Sequence, residues 1–269
     1  MSYLNPAPVI SIVRDASGAA LRRLSPYLYS FNTPVKARWM NRTVLDVVTS
    51  EFSRLGNHNV VTRMIREGHV RVSSKFVAPD YKLRGHDRLQ TTVVRHDPDI
   101  LADPIAVVYE SNEVVAVDKP PSIPIHANAR YVHNTLVSIL AEQNPAEYSQ
   151  LRVIHRLDAM TQGLVILAKT SSSAASLCAA LREGNAQKMY FARVVGHLAQ
   201  DEIHVTDSLD HTLPSRQHKP TQEAATLVRT LWRGHLGNGK YPVSLVQCTR
   251  AYHWHPPVPL THCSPAKNH

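Results

Sequence analysis

Two prolines in a row, Pro120-Pro121, end the apolar run Val114-Val115-Ala116-Val117 just after Asp118-Lys119. Proline has no N–H to give to a ladder and its ring fixes φ, so the run is a short strand that must stop there. Similar punctuation recurs along the chain. After Thr43 the residues Val44, Leu45, Val48, Phe52 and Leu55 share one helical face until Gly56, and a second helix is predicted over 60–67 before Gly68. HVRVSSKFV then alternates like a strand, and YKLRGHDRLQTTVV reads as strand, turn and strand. Further on, short helices are predicted over 135–143 and 171–182 and a strand over 188–196. Strands and helices mix without a regular βαβ rhythm, which predicts an α+β fold rather than a doubly wound sheet.

The organisation expected from this pattern has four parts. Residues 1–35 are an N-terminal extension with one strand, 36–100 a compact unit of two helices and a small hairpin, 101–247 a second and larger unit, and 248–269 a tail. There is no internal repeat and no low-complexity tract.

Charge points to a partner. Thirty Lys and Arg against 21 Asp and Glu leave +9 over 269 residues, and between Lys36 and Arg95 twelve cations face five anions, so +7 of it sits there. A basic excess speaks of partners rather than fold, and nucleic acid is the commonest. Arg38, Arg42, Arg63, Arg66, Arg71, Lys75, Lys82 and Arg84 would stand on that unit's surface, where they can meet phosphates. The plain alternative is a solvated basic face. Three scattered cysteines, Cys178, Cys248 and Cys263, are too few for a disulfide framework and suit a reducing compartment. No apolar run approaches a membrane helix and no secretory signal pattern is present, while residues 9–25 have a faint organelle-presequence flavour, with Arg14, Arg22 and Arg23 against Asp15. The expected compartment is the cytosol or nucleus, with the mitochondrion as an alternative.

The stretch VIHRLDAMTQGLVILAKT over 153–170 carries the chemistry. If it is extended from Ile154 to Asp158, Arg156 and Asp158 point to one side and His155 and Leu157 to the other. A carboxylate at the start of the 159–163 turn can be held by backbone N–H groups and by the Thr161 hydroxyl yet face a cleft, as a nucleophile or base. The plain alternative is an Asx-type turn with an incidental ion pair.

H-R-L-D-x-x-T-x-G followed by an apolar strand and Ala-Lys resembles the signature of the RluA-type pseudouridine synthases, which usually have T-S-G where this chain has Thr161-Gln162-Gly163. VDKPPSIPIHANARYVHNTLVSIL over 117–140 is similar to that family's D-K-P segment, and Lys188-x-Tyr190-x-Ala192-x-Val194-x-Gly196 to its K-x-Y strand. YSFNTPVKARWMNRTVLDVVTSEF over 29–52, with IREGHVRVS and YKLRGHD, resembles the S4-like front end of the family's eukaryotic tRNA-modifying branch.

The resemblance implies a mixed, largely antiparallel sheet preceded by a small S4-like RNA-binding domain. It implies isomerisation of uridine to pseudouridine in RNA, with uridine 32 of the tRNA anticodon loop as the target in the most similar branch. The expected partner is RNA, tRNA in particular, with a monomeric enzyme and no cofactor or metal. Asp158 would be the nucleophile, Arg156 would fill the place of the flipped base or hold its phosphate, and Tyr190 would pack on the uracil. For Lys119 and His126 a structural part in the D-K-P turn is preferred. Ser73 stands where the S4-like pattern often has Asn, so single contacts are not carried across.

The resemblance ends near residue 247. After SLVQCT the family continues T-G-R-x-H-Q-I-R-x-H, whereas this chain reads RAYHWHPPVPLTHCSPAKNH. Back-translated from Ala251 and read one nucleotide later, the codons permit RTTGTHQFRLH, so a frameshifted tail and an incomplete catalytic sheet are expected. His253, His255, His262 and Cys263 lack the spacing of a closed metal site. The alternative function is a non-catalytic RNA-binding remnant.

Overall fold

The structure, a computed structural model, describes residues 8–128, 130–184, 186–207, 224–237 and 239–252. The chain divides into two compact units, residues 1–104 with 122–139, and residues 105–121 with 140–269.

The first unit begins with β1 (Ile10–Arg14), β2 (Ala20–Leu24) and β3 (Tyr27–Pro34), so the extension carries three strands rather than the one expected. Arginines interrupt the apolar alternation of β2, which hides its period. The β1–β2 turn is closed by the Asp15 carboxylate, which accepts from the Ser17 and Ala19 N–H groups at 2.8 and 2.9 Å. The segment with a presequence flavour is therefore a β-hairpin, and Arg23 forms an ion pair with Asp99 at 2.7 Å.

Helices α1 (Val44–Glu51) and α2 (His58–Arg66) follow. Thr43 caps α1 by accepting from the Asp46 N–H at 3.1 Å. Asn57 caps α2 by accepting from the Asn59 and Val60 N–H groups, so that helix starts two residues earlier than its apolar pattern suggests. Val44, Val47, Val48, Val61 and Ile65 bury one side of the pair against Trp39, Leu83, Val70 and Val72. At φ +78° Gly68 ends α2, and a Cβ there would collide with the ring of Phe76. The expected strand over 69–77 shortens to β4 (Val70–Val72), because Ser73 and Ser74 turn the chain with left-handed φ of +48° and +65°. That is a conformation in which Asn is the favoured residue after Gly. Strand β5 (Arg88–Arg95) is central in the sheet β3-β5-β4, and β6 (Ile100–Leu101) completes β1-β2-β6. Of the expected strand over 81–84 only a bridge between Lys82 and Thr43 forms.

Strands β7 (Ala106–Glu110) and β8 (Val114–Lys119) open the second unit. Helix α3 (Leu136–Gln143) runs from the first unit into the second, followed by α4 (Pro145–Tyr148), β9 (Arg152–Val153), β10 (Gly163–Ala168) and α5 (Ser171–Arg182). A capping box of Thr170 and Ser173 starts α5. β7-β8-β10-β9 is one antiparallel sheet, with Val115, Val117, Val165 and Leu167 buried at its centre. β11 (Met189–Val195), β12 (Glu202–Asp207), β13 (Ala224–Leu236) and β14 (Tyr241–Tyr252) form a second antiparallel sheet in the order β11-β14-β13-β12. The fold is α+β with antiparallel sheets, as the sequence predicts. The expected tail begins inside β14, and from residue 253 on it lies outside the described residues, as do His253, His255, His262 and Cys263.

Candidate active site

The expected extended run from Ile154 to Asp158 is not a ladder strand. β9 stops at Val153 after two pairs with β10, and residues 154–162 form an irregular loop. The alternation survives nonetheless, since Arg156 and Asp158 are exposed while His155 and Leu157 are half-buried.

Two side chains hold the loop. His155 lies alongside β10, where its Nε2 accepts the Ile166 N–H at 3.0 Å. The ring thus takes a ladder hydrogen bond that β9 is too short to provide. Burial pushes the His155 pKa down, the nearby positive charge of Lys188 adds to this, and the Arg156 backbone partly opposes it. A neutral ring is what an acceptor nitrogen needs.

The second group is Lys119, fully buried at the end of β8. Its Nζ donates to the Pro120 carbonyl at 2.9 Å and to the Ala159 carbonyl at 3.0 Å, so it fixes the turn directly after Asp158. Burial lowers its pKa to about 8, against the opposing pull of the Asp158 charge. The register explains the meeting. Gly163 pairs with Lys119 and Leu164 with Asp118, so the loop returns onto the strand end that carries the lysine. Gln162, at the position where the family pattern has Ser, donates to the Asp118 carboxylate at 3.4 Å.

Asp158 itself differs from expectation. Among the described residues its carboxylate accepts no hydrogen bond from the turn or from Thr161. The turn closes instead through the Asp158 carbonyl, which accepts the Thr161 N–H at 3.1 Å. The carboxylate therefore stands exposed on a loop fixed from beneath by buried Lys119, whose positive charge the Asp158 carboxylate helps to sustain. Lys119 is structural, as preferred from the sequence, and electrostatic as well. The available signal was the D-K-P-P string, in which a lysine ends an apolar strand. His126 is exposed.

Tyr190 is half-buried on β11, opposite Cys248, and packs beside the cluster of Val194, Val228, Val246 and Cys248. Lys188, two residues earlier, is near enough to His155 to influence its charge.

The eight basic residues expected to meet RNA all belong to the first unit, and four of them are engaged locally. Arg38 makes a two-pronged pair with Glu51 at 3.0 and 2.6 Å. Arg42 pairs with Asp46 at 2.7 Å and donates to Ser50. Arg63 lies 4.0 Å from Glu67, and Arg71 donates to the Gly68 carbonyl while its guanidinium sits 4.4 Å from the Phe76 ring centre. Arg66, Lys75, Lys82 and Arg84 are exposed. Among the described residues no group of three or more His, Cys, Asp or Glu could hold a metal, and no helix is long and apolar enough to cross a membrane.

An antiparallel α+β unit that presents an exposed aspartate on a pinned H-R-L-D loop defines a class, and the class has a name. The model of the RNA pseudouridylate synthase family matches residues 113–253, and the chain belongs to that family. It is 34% identical over 184 residues to pseudouridylate synthase RPUSD2 of Mus musculus, covering 68% of this chain and 33% of that protein. It is 33% identical over 202 residues to the mitochondrial tRNA pseudouridine(32) synthase of Saccharomyces cerevisiae, covering 75% of this chain and 42% of the relative. With the tRNA pseudouridine(31) synthase of the same yeast it shares 30% identity over 215 residues, 72% of this chain and 52% of the relative. The chain thus spans between a third and about half of these relatives.

Proposed function

We propose that this chain isomerises uridine to pseudouridine in RNA, with Asp158 as the nucleophile and tRNA as the substrate. The observation that carries the reading is the exposed Asp158 carboxylate on a loop that buried Lys119 fixes through the Ala159 carbonyl. A nucleophile that must reach a base turned out of its stack has to be accessible and rigidly placed. In the net reaction the bond from uracil N1 to ribose C1′ breaks, a bond from C5 to C1′ forms, the C5 proton leaves and N1 gains one. Nothing is oxidised or reduced. Arg156, exposed beside Asp158, takes the place of the flipped base or holds its phosphate, and Tyr190 packs on the uracil.

Residues 36–100 serve as an S4-like RNA-binding domain that grips the backbone, and 101–247 as the catalytic domain, working as a monomer. Two yeast relatives are named for tRNA positions 32 and 31, and uridine 32 in the anticodon loop is our choice of target. One of them is named as mitochondrial, which supports the mitochondrion beside cytosol and nucleus as its compartment.

The test incubates the full chain with a tRNA transcript and reads pseudouridine by position. The wild-type chain forms it and Asp158→Asn does not, although it still binds the transcript. Turnover by Asp158→Asn would remove the assignment of the nucleophile. Binding without any turnover by the wild-type chain would favour the non-catalytic RNA-binding alternative.

A further inference from the structure

The first unit contains a groove of about 850 Å³ that none of the eight expected RNA contacts lines. It arises because the inner face of the β3–β5 pair runs out from under its helices. Near Leu89 that face is core. Four to six residues on, the same face carries Val93 and Arg95, opposite Tyr29 and Tyr27, with Phe31 opposite the buried Thr91. Tyr29 and Phe31 pack edge to face with centroids 4.7 Å apart, and the Arg95 guanidinium lies 5.0 Å from the Tyr29 ring centre. Phe31 keeps 40% of its surface exposed.

The opposite walls are the end of α1 with the turn after it, and the segment near Arg130. That second wall is held in place. Buried Asp97 accepts the Tyr27 hydroxyl at 2.6 Å and three successive N–H groups, of Val132, His133 and Asn134, at 2.8, 2.7 and 2.9 Å. The charge on the walls is positive. Arg54, Arg95 and Arg130 line the groove, and the one carboxylate there, Glu51, is already gripped by Arg38.

We infer that this groove binds an unpaired RNA nucleotide, its base stacked on the Phe31–Tyr29 pair and its phosphate drawn to Arg54 and Arg130. Stacking on exposed rings flanked by guanidinium groups is how single-stranded nucleic acid is held without reading its sequence. The inference rests on the RNA reading above and adds a base-holding site to it, separate from the cations expected to touch the backbone.

The test uses the full chain, a short fluorescent oligouridylate titrated at several salt concentrations, and a version carrying one 4-thiouridine for photo-crosslinking. Phe31→Leu keeps an apolar side chain and removes the ring, and is expected to weaken binding about tenfold, the size of one lost stack. Arg54→Gln is expected to weaken it less and to flatten the salt dependence by about one counterion. Crosslinks are expected within 27–34 or 91–96. Wild-type affinity in both variants, or crosslinks only elsewhere, overturns the groove site while leaving the RNA reading intact; the groove then serves another occupant, such as an acidic peptide or a second copy of this chain. A wild-type chain that binds no RNA overturns both. Should Phe31→Leu fail to fold, Arg54→Gln and the crosslink positions decide.

Discussion

The α1–α2 pair and the loop over 154–162 are both held firmly, by opposite means. The helices carry their own instructions: Thr43 and Asn57 cap them, Gly68 ends the second, and a face of Val44, Val47, Val48, Val61 and Ile65 is fully buried. The loop has almost no ladder hydrogen bonds of its own. Two side chains, one from elsewhere in its unit and one turned back into it, do the fixing: buried Lys119 at the Ala159 carbonyl and half-buried His155 at the Ile166 N–H. A helix surface suits contacts that tolerate small shifts, such as those to phosphates. A carboxylate that must meet one atom of a substrate is better carried on irregular backbone that a few polar groups over-determine.

The largest expected effect breaks the loop side at its tip. Asp158→Asn should reduce pseudouridine formation on the order of 10⁴-fold, as loss of a covalent nucleophile does, with RNA affinity and thermal midpoint unchanged. A rate loss below about tenfold would return the loop to a purely structural part.

Next comes Lys119. Its folded pKa of about 8 lies below the 10.5 usual for a lysine. Between those values the unfolded chain binds the extra proton, so stability rises with pH across the window, and the full cost of burying the charge is present below about 8. Deprotonation also removes the positive charge that faces Asp158. Turnover should therefore fall above pH 8 while stability rises, and the two curves should cross in a pH series of rate and melting temperature. In Lys119→Met the rise in stability should vanish, and activity should drop about 10- to 100-fold, because the loop loses its pin but the site stays filled. Lys119→Ala should in addition cost about 2–5 kcal/mol for the cavity it leaves.

How far the sequence led differs between these same places. Thr43, Gly68 and the Ser-rich start of α5 are local signals, and the helices were legible from them, although α1 ends at Glu51 rather than running on to Gly56. The strands β8 and β10 were legible from their apolar runs. β13 was not, because a register shift between Thr230 and Trp232 moves the alternation to the other face, and Leu231 and Trp232 are both left exposed. At the site, Arg156 and Asp158 were legible as a same-side pair. Their support was not, since Lys119 lies forty residues away and reaches the turn only through the pairing of β8 with β10. That is tertiary information, absent from any local window.

His155 allows a milder break. Its ring must be neutral at Nε2 to accept from Ile166, and its folded pKa lies below the usual 6.5. The stability it contributes is present above pH 6.5 and is lost as pH falls below that value, because the unfolded chain takes up the proton first. His155→Phe should remove this acid sensitivity. It should also cost about 1–3 kcal/mol at neutral pH by leaving the Ile166 N–H without its acceptor. Denaturant melts at several pH values would show whether the acid limb belongs to this ring.

The smallest effects sharpen the helix side. Arg38 and Lys82 were expected alike to meet phosphates, yet Arg38 already spends both prongs on Glu51, and Lys82 is exposed. A cation that must leave a carboxylate to reach a phosphate gains only the difference between two similar ion pairs, whereas an exposed lysine gains the whole contact and releases a counterion. Lys82→Ala should therefore weaken RNA binding about two- to threefold at moderate salt and lower the slope of log affinity against log salt by about one. Arg38→Ala should lower that slope by clearly less. Its loss should be visible in stability instead, as a small drop in melting temperature when the exposed Glu51 pair is removed. Equal slope changes for the two variants would mean that Glu51 releases Arg38 when RNA arrives, and that the helix surface, like the loop, reorganises around its ligand rather than presenting a fixed pattern of charge.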